Sequence, residues 1–359
     1  MSKADQLSAQ SPQGPHNPHN TWLAAWYGPA RWTFWLLPLN WIFIALAALR
    51  RFWVLRYQQK NLPTPVVVVG NISVGGTGKT PVIIALVKWL QKNGYSPGVI
   101  SRGYGGSRET YPYLLDSTST AQDAGDEPLA IFQQTGAQVA IGPDRLASGR
   151  LLEDQGCDIL LSDDGLQHYR LGRDIEIAVV DGARGLGNGW RLPVGPLREP
   201  ASRLTTVDWV IVNSPAENFA LPVVAGQSLF HIPMHIKPGA VVNLVSGKTV
   251  AIDELPKKLI AIAGIGNPQR FATTLSELGF EPELHAFPDH HAFAREDFNF
   301  ANSQPVIMTE KDAVKCRAFA QENWFYLPVA AELPESFWGA FAQKIERVIA
   351  QKKSRFSIK

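Results

Sequence analysis

The run Gly70-Asn71-Ile72-Ser73-Val74-Gly75-Gly76-Thr77-Gly78-Lys79-Thr80-Pro81 holds the most specific chemistry in this chain. It follows four valines, Val66–Val69, and precedes the apolar stretch Val82–Leu90. A strand, a glycine-rich turn and a helix opening on Lys-Thr form a loop that wraps a polyphosphate. The glycines let successive backbone N–H groups turn inward, and the positive end of the helix dipole adds to their field. Gly75, Gly76, Thr77 and Gly78 supply the cradle, Lys79 reaches the outer phosphates, and the Thr80 hydroxyl suits a magnesium ion. Ser73 stands where the usual pattern has its first glycine. Val74 stands where the variant loop of partitioning ATPases carries a lysine.

Phosphoryl transfer also needs magnesium carboxylates, an acceptor for a proton and further positive charge. Asp163 and Asp164 end the apolar run that starts at Cys157, which suits the metal; the competing reading is a turn cap. Gly125-Asp126-Glu127-Pro128 places exposed carboxylates before a helix, as a base or as an N-cap. In Asp289-His290-His291 a histidine either tunes a carboxylate or packs at the surface. In the proline-rich stretch 188–200, Arg198 suits a phosphate and Glu199 a magnesium ion or a hydroxyl. Thr309-Glu310-Lys311-Asp312 is a strand end that faces the cleft or simply turns into a helix.

Positioning these groups calls for an α/β fold. Strands are expected at 66–69, 97–101, 138–141, 157–163, 175–181 and 207–213, with helices between several of them. This rhythm gives a P-loop NTPase-like, doubly wound parallel sheet over 61–221. Ligands collect at the carboxyl ends of such strands, where Lys79, Arg102, Asp163, Asp164 and Asp181 all fall. Short alternating runs at 222–256 read as a β-hairpin linker. A smaller second α/β domain follows at 257–359, with strands at 259–263, 284–287 and 305–309 and a closing helix at 334–351.

Composition narrows the classes further. The net charge of +2 gives no footprint for nucleic acid. Cys157 and Cys316 build no disulfide framework and lack metal-ligand spacing. Residues 1–20 are polar and expected to be disordered. Six of the eleven tryptophans precede residue 54, and the 18 residues from Trp32 to Leu49 carry no charge. Segment 21–60 is therefore expected to be a membrane-associating helical segment, with Arg50, Arg51 and Arg56 holding the following domain on the cytoplasmic side. The alternatives are a helix packed on the protein's own core and a secretory signal. Pro38 and Asn40 favour an interfacial helix pair, broken near Pro38, over a full span.

These motifs, in order, resemble the tetraacyldisaccharide 4'-kinase (lipid A 4'-kinase) family of Gram-negative bacteria. The resemblance rests on GNISVGGTGKTP at 70–81, SRGYGG at 101–106, GDEP at 125–128, SDDGLQHYRL at 162–171, LPVGPLREP at 192–200, FPDH at 287–290 and TEKDAVK at 309–315. It implies a lipid kinase that uses ATP and Mg2+ to phosphorylate the 4'-hydroxyl of a tetraacyldisaccharide 1-phosphate, giving lipid IVA. It also implies a place on the cytoplasmic face of the inner membrane. The partners expected are the lipid disaccharide and the inner-leaflet surface, with no obligate protein partner evident. By the resemblance Asp126 is the catalytic base and His290 its partner, with His291 as a competitor for that role. Gln167, His168 and Arg198 join Arg102 and the loop at the nucleotide, and Asp163, Asp164 and Glu199 join Thr80 at the metal. On this reading His290 raises the basicity of Asp126. The rivals are a membrane-associated ATPase switch or assembly factor of the variant-loop class and a non-catalytic nucleotide-binding scaffold.

Overall fold

The computed structural model describes residues 18–213, 221, 226, 228–300 and 304–356. The elements in chain order are α1 (Pro18–Tyr27), α2 (Leu37–Trp53), β1 (Val66–Gly70), α3 (Lys79–Lys92), β2 (Pro97–Ser101), β3 (Tyr113–Leu114), α4 (Ala121–Ala124), α5 (Asp126–Thr135), β4 (Gln138–Ile141), α6 (Arg145–Asp154), β5 (Ile159–Asp163) and β6 (Ile175–Asp181). They continue with β7 (Trp209–Asn213), β8 (Ile232–Pro238), β9 (Val241–Asn243), β10 (Thr249–Val250), β11 (Lys258–Ala263), α7 (Pro268–Glu277), β12 (Glu281–Ala286), β13 (Val306–Thr309), α8 (Glu310–Cys316), β14 (Trp324–Leu327), β15 (Val329–Glu332) and α9 (Glu335–Phe356).

Two sheets result. The larger has the order β15-β8-β7-β6-β1-β5-β2-β4-β3, parallel from β8 through β4 and antiparallel at both edges. Its central strand β1 is buried on both faces, which explains an unbroken valine run where a half-exposed strand would alternate. The smaller sheet runs β10-β9-β14-β13-β11-β12. Apolar clusters fill both faces of each sheet.

Sheet membership departs from the sequence division in two places. Segment 222–256, expected as a linker, gives β8 to the larger sheet and β9 and β10 to the smaller one. Segment 257–359, expected as one unit, sends β15 and α9 back to the larger sheet. Phe337, Phe341, Ile345 and Val348 of α9 join the core that α3 builds, and Trp338 stacks on Trp89 at 5.6 Å. Lys352 pins the far end of α9 by an ion pair with Asp174 at 2.9 Å and a hydrogen bond to the Leu62 carbonyl at 2.7 Å. The return could not be read from amphipathicity, because periodicity shows that a helix buries a face but not against which sheet.

The apolar segment is helical from Trp32 to Gln58, with a mean hydropathy of 1.7 and only 11% of its most apolar window buried. Pro38 does not break it. It sits in the first turn of α2, where a proline costs no hydrogen bond, and the break lies at 28–31 instead. Asn40 is fully buried, and its Nδ2 donates to the carbonyls of Arg191 (2.6 Å) and Leu192 (3.0 Å). Trp26 donates from Nε1 to the Pro193 carbonyl at 3.0 Å. The amphipathic segment is therefore bolted to the proline-rich loop, and its polar residue faces that loop. Trp35, Trp41, Leu46, Leu49 and Phe52 lie exposed. Most of the expected tail, 1–17, lies outside the described residues, and α1 begins at Pro18.

Candidate active site

The glycine loop joins β1 to α3 as the sequence requires. Gly78 caps α3 at φ 92°, and a Cβ there would sit 2.6 Å from Asn213 Nδ2, so only glycine fits. Lys79 opens the helix, with its Nζ 3.6 Å from Asp164 Oδ1. The Thr77 hydroxyl is buried with no hydrogen-bond partner, and so is Asn71 Oδ1. A phosphate oxygen would satisfy the Thr77 hydroxyl by accepting from it, whereas Asn71 Oδ1, itself an acceptor, needs a donor.

Asp163 ends β5, and Asp164 begins the turn. Burial, reinforced by Glu127, pushes the Asp163 carboxyl up to about 7. Asp164 feels burial too, but Lys79 and Arg198 hold it below the usual carboxylate range. Arg198 donates to Asp164 Oδ2 at 3.0 Å. Asp163 Oδ1 and Asp164 Oδ1 lack hydrogen-bond donors although both are buried. A divalent cation fits these two free oxygens, because it would supply the charge that the buried Asp163 lacks. Among the described residues no three His, Cys, Asp or Glu side chains gather to hold an ion by themselves. That suits magnesium, which keeps waters and takes phosphate oxygens.

Asp126 opens α5 after Gly125, whose φ of 86° is required because a Cβ would meet the Tyr104 carbonyl at 2.3 Å. The expectation of exposed carboxylates fails here, since Asp126 is 5% exposed. Its partners come from the smaller-sheet side. His290 Nδ1 lies 3.2 Å from each carboxylate oxygen, Lys315 Nζ lies 3.4 Å from Oδ2 and Lys311 Nζ 3.7 Å. His291 turns away to Asp297 at 2.9 Å, so His290 alone meets Asp126. Asp164 (φ 45°) and His290 (φ 62°) are the two described non-glycine residues at positive φ, and both stand in this cleft.

The electrostatics reverse one expectation. Burial alone would raise the Asp126 carboxyl, but the His290 ring N–H and the two lysines overcome it and hold the pKa down at about 2. His290 therefore does not make Asp126 more basic. Donors stabilise the carboxylate, so Asp126 is an ionised acceptor held in place. The same hydrogen bond raises the His290 pKa above its ordinary value, against burial and Lys311.

Other protein groups set the surroundings of Glu199 and His168, both expected as ligands. Glu199 accepts from Gln167 Nε2 at 2.6 Å and from the Tyr169 hydroxyl, and pairs with Arg203 Nε at 3.4 Å. Both of its oxygens already accept from protein groups, so in this structure it braces Gln167 and the Arg198 loop. His168 lies in the field of Arg145 and Arg173. Burial first, then those cations, lower its pKa to about 4 and keep the ring neutral. Gln167 does touch the loop strand, donating to the Asn71 carbonyl at 3.0 Å. Arg102 is exposed beyond β2.

Sequence reasoning missed Lys311 and Lys315 as partners of Asp126. The signal was present: two lysines four apart lie on one face of a helix. It also missed the ties across the lobes. Arg184 donates to the Gly266 carbonyl at 2.6 Å, and Arg270 donates to Asn213 Oδ1 at 2.8 Å. Asn213 in turn donates to the Thr77 carbonyl at 3.2 Å.

A family model described as tetraacyldisaccharide-1-P 4'-kinase matches residues 32–346. A tetraacyldisaccharide 4'-kinase from Aeromonas salmonicida is 48% identical over 333 residues, covering 89% of this chain and 95% of the relative. One from Pseudomonas fluorescens is 46% identical, covering 91% and 96%. The crystal structure of LpxK from Aquifex aeolicus in complex with ATP superposes with a TM-score of 0.72 at 27% identity, covering 88% of this chain and 99% of that one. The chain belongs to the tetraacyldisaccharide-1-P 4'-kinase family.

Proposed function

We propose that this protein transfers the γ-phosphoryl group of ATP to the 4'-hydroxyl of a tetraacyldisaccharide 1-phosphate, with Asp126 as proton acceptor and His290 as its orienting partner. One observation carries the assignment of roles. The Asp126–His290 pair is assembled from two lobes; Arg270 ties the His290 lobe through Asn213 to Thr77 of the glycine loop that presents Lys79, and Arg184 ties Gly266 of that lobe to the segment after β6.

In this reading the glycine-loop amides and Lys79 hold the phosphates, and Arg198 holds Asp164 in place. Thr80, Asp163 and Asp164 would hold magnesium, which neutralises phosphate charge when bound. Asp126 takes the hydroxyl proton as the sugar oxygen bonds to phosphorus and the bond to the ADP oxygen breaks. A strong base is not needed. In a loose transition state the hydroxyl becomes acidic only as the new bond forms, so an ionised acceptor in the right place suffices. The exposed apolar face of α2 and the basic Arg50, Arg51 and Arg56 support a position on the cytoplasmic leaflet of the inner membrane, where the lipid acceptor resides.

The test is label transfer. With magnesium, γ-labelled ATP and the disaccharide lipid in mixed micelles, label is expected on the 4'-oxygen. ATP hydrolysis that is indifferent to the lipid would instead favour an ATPase switch.

A further inference from the structure

Lys311, in the strand end that the sequence left open as a cleft-facing segment or a plain turn, meets charged groups of both lobes. Lys311 Nζ lies 3.2 Å from Glu127 Oε1 on the larger-sheet lobe and 3.1 Å from Asp289 Oδ1 on its own lobe. It also lies 3.7 Å from Asp126 Oδ2 and 3.5 Å from His290 Nε2. The last contact restricts the histidine. Asp126 is an ionised acceptor, so His290 Nδ1 must carry the hydrogen that joins them. An ammonium has hydrogens on every side and no lone pair, so Nε2 can meet Lys311 favourably only through its own lone pair. A proton on Nε2 would put two donors face to face beside a fixed positive charge.

We propose that Lys311 is a positioning residue that fixes His290 in the Nδ1–H tautomer and disfavours a proton on Nε2, with its ammonium anchored across the lobe interface by Glu127. The charged and titratable groups facing the ring are Asp126 and Glu127 from α5, Asp289 from its own loop, and Lys311 and Lys315 from α8. Tyr104, from the loop after β2, meets the ring edge-on at 5.0 Å. Asp126 and Asp289 favour a second proton and the lysines oppose it, so removing one lysine tips the balance in a direction known beforehand. Glu127 also makes the control depend on closure, because Lys311 loses that anchor when the lobes part. The inference rests on the reading of Asp126 and His290 as a working pair.

The experiment is nitrogen-15 NMR of histidine-labelled full-length protein in detergent, with the His290 signals assigned by their loss in His290→Asn. In the parent the neutral ring is expected as Nδ1–H. In Lys311→Met the His290 midpoint is expected to rise by roughly one pH unit, the usual scale for losing a like charge at this range. The Nδ1–H preference should weaken as well. Lys311→Arg keeps the cation and should keep the parent midpoint, which also guards against reading a folding defect as an electrostatic one. The acid limb of the kcat/KM profile should follow the NMR midpoint. An unchanged midpoint and tautomer in Lys311→Met would overturn the inference. Asp126→Asn tests the underlying pair separately: a His290 signal indifferent to that change would sink the pair itself, whatever Lys311 does.

Discussion

His290 Nδ1 stands 3.2 Å from both oxygens of Asp126, a pairing between residues 164 positions apart that joins the start of α5 to the loop after β12. If the two act as one device, removing either removes most of what both provide. Asp126→Asn and His290→Ala are each expected to lower turnover by about 10²- to 10⁴-fold, the usual range for a positioned proton acceptor. The double variant should fall little below the worse single one. Single-turnover rates with the lipid acceptor check this, and fully multiplicative losses would assign the residues independent roles.

The same pair makes stability depend on pH with a known sign. The Asp126 pKa of about 2 lies below its unfolded value near 3.9, so its stabilisation is present above about pH 4 and is lost as pH falls towards 2. The His290 pKa is raised from 6.5, so its share is full below that value and is lost as pH rises through the folded value. The two windows overlap between about pH 4 and 6.5. The deficit of His290→Ala in urea unfolding should therefore be largest between about pH 4 and 6.5 and should shrink as pH rises through the folded His290 value. A deficit that grows with pH would contradict the pairing.

Magnesium dependence separates the carboxylates. Asp163 and Asp164 each present a buried oxygen without a donor, whereas Gln167, Tyr169 and Arg203 occupy Glu199. Asp163→Asn and Asp164→Asn are expected to raise the magnesium concentration for half-maximal rate by tenfold or more, in the range of losing one preorganised charge. Glu199→Gln should leave that concentration unchanged. It should instead lower thermal stability, because it removes the charge that Arg203 and Tyr169 face. A magnesium titration of the three variants decides, and a shift in Glu199→Gln alone would return that residue to the metal.

The elements that carry the phosphate chemistry were legible because they are local. A valine run, a glycine turn and Lys79 are contiguous, and their spacing fixes their geometry. Asp163 and Asp164 were legible for the same reason, since a polar pair ending an apolar strand must emerge at the carboxyl end of the sheet. What lay hidden was everything set by approach between segments. Nothing in the spacing of Glu199 says that Tyr169 and Arg203 will claim its oxygens, and nothing near Lys311 says that Glu127 waits across the cleft. Asn40 shows the limit clearly. Read along the chain it interrupts an apolar helix, yet in three dimensions it is the hydrogen-bonding anchor that holds that helix to Arg191 and Leu192.

That anchor allows the apolar face of α2 to be tested apart from its attachment. Deleting the segment would also free the loop that carries Arg198, so point changes on the exposed side are cleaner. Trp35 is 88% exposed and Trp41 62%, and both project away from the protein. Burying one indole removes roughly 150–250 Å² from water, worth up to about 4–6 kcal/mol at about 25 cal/mol per Å². Trp35→Ser with Trp41→Ser is therefore expected to weaken vesicle binding by at least a hundredfold while leaving ATP affinity unchanged. Asn40→Leu should do the opposite. It keeps the exposed face and raises the hydropathy but takes the side-chain donor from the Leu192 carbonyl and leaves the Arg191 carbonyl only the Gly195 N–H, at a cost of about 1–3 kcal/mol in stability. Co-sedimentation with anionic vesicles beside nucleotide titration separates the two outcomes. If the tryptophan pair can be lost with no change in sedimentation, the exposed face of α2 is not what meets the membrane.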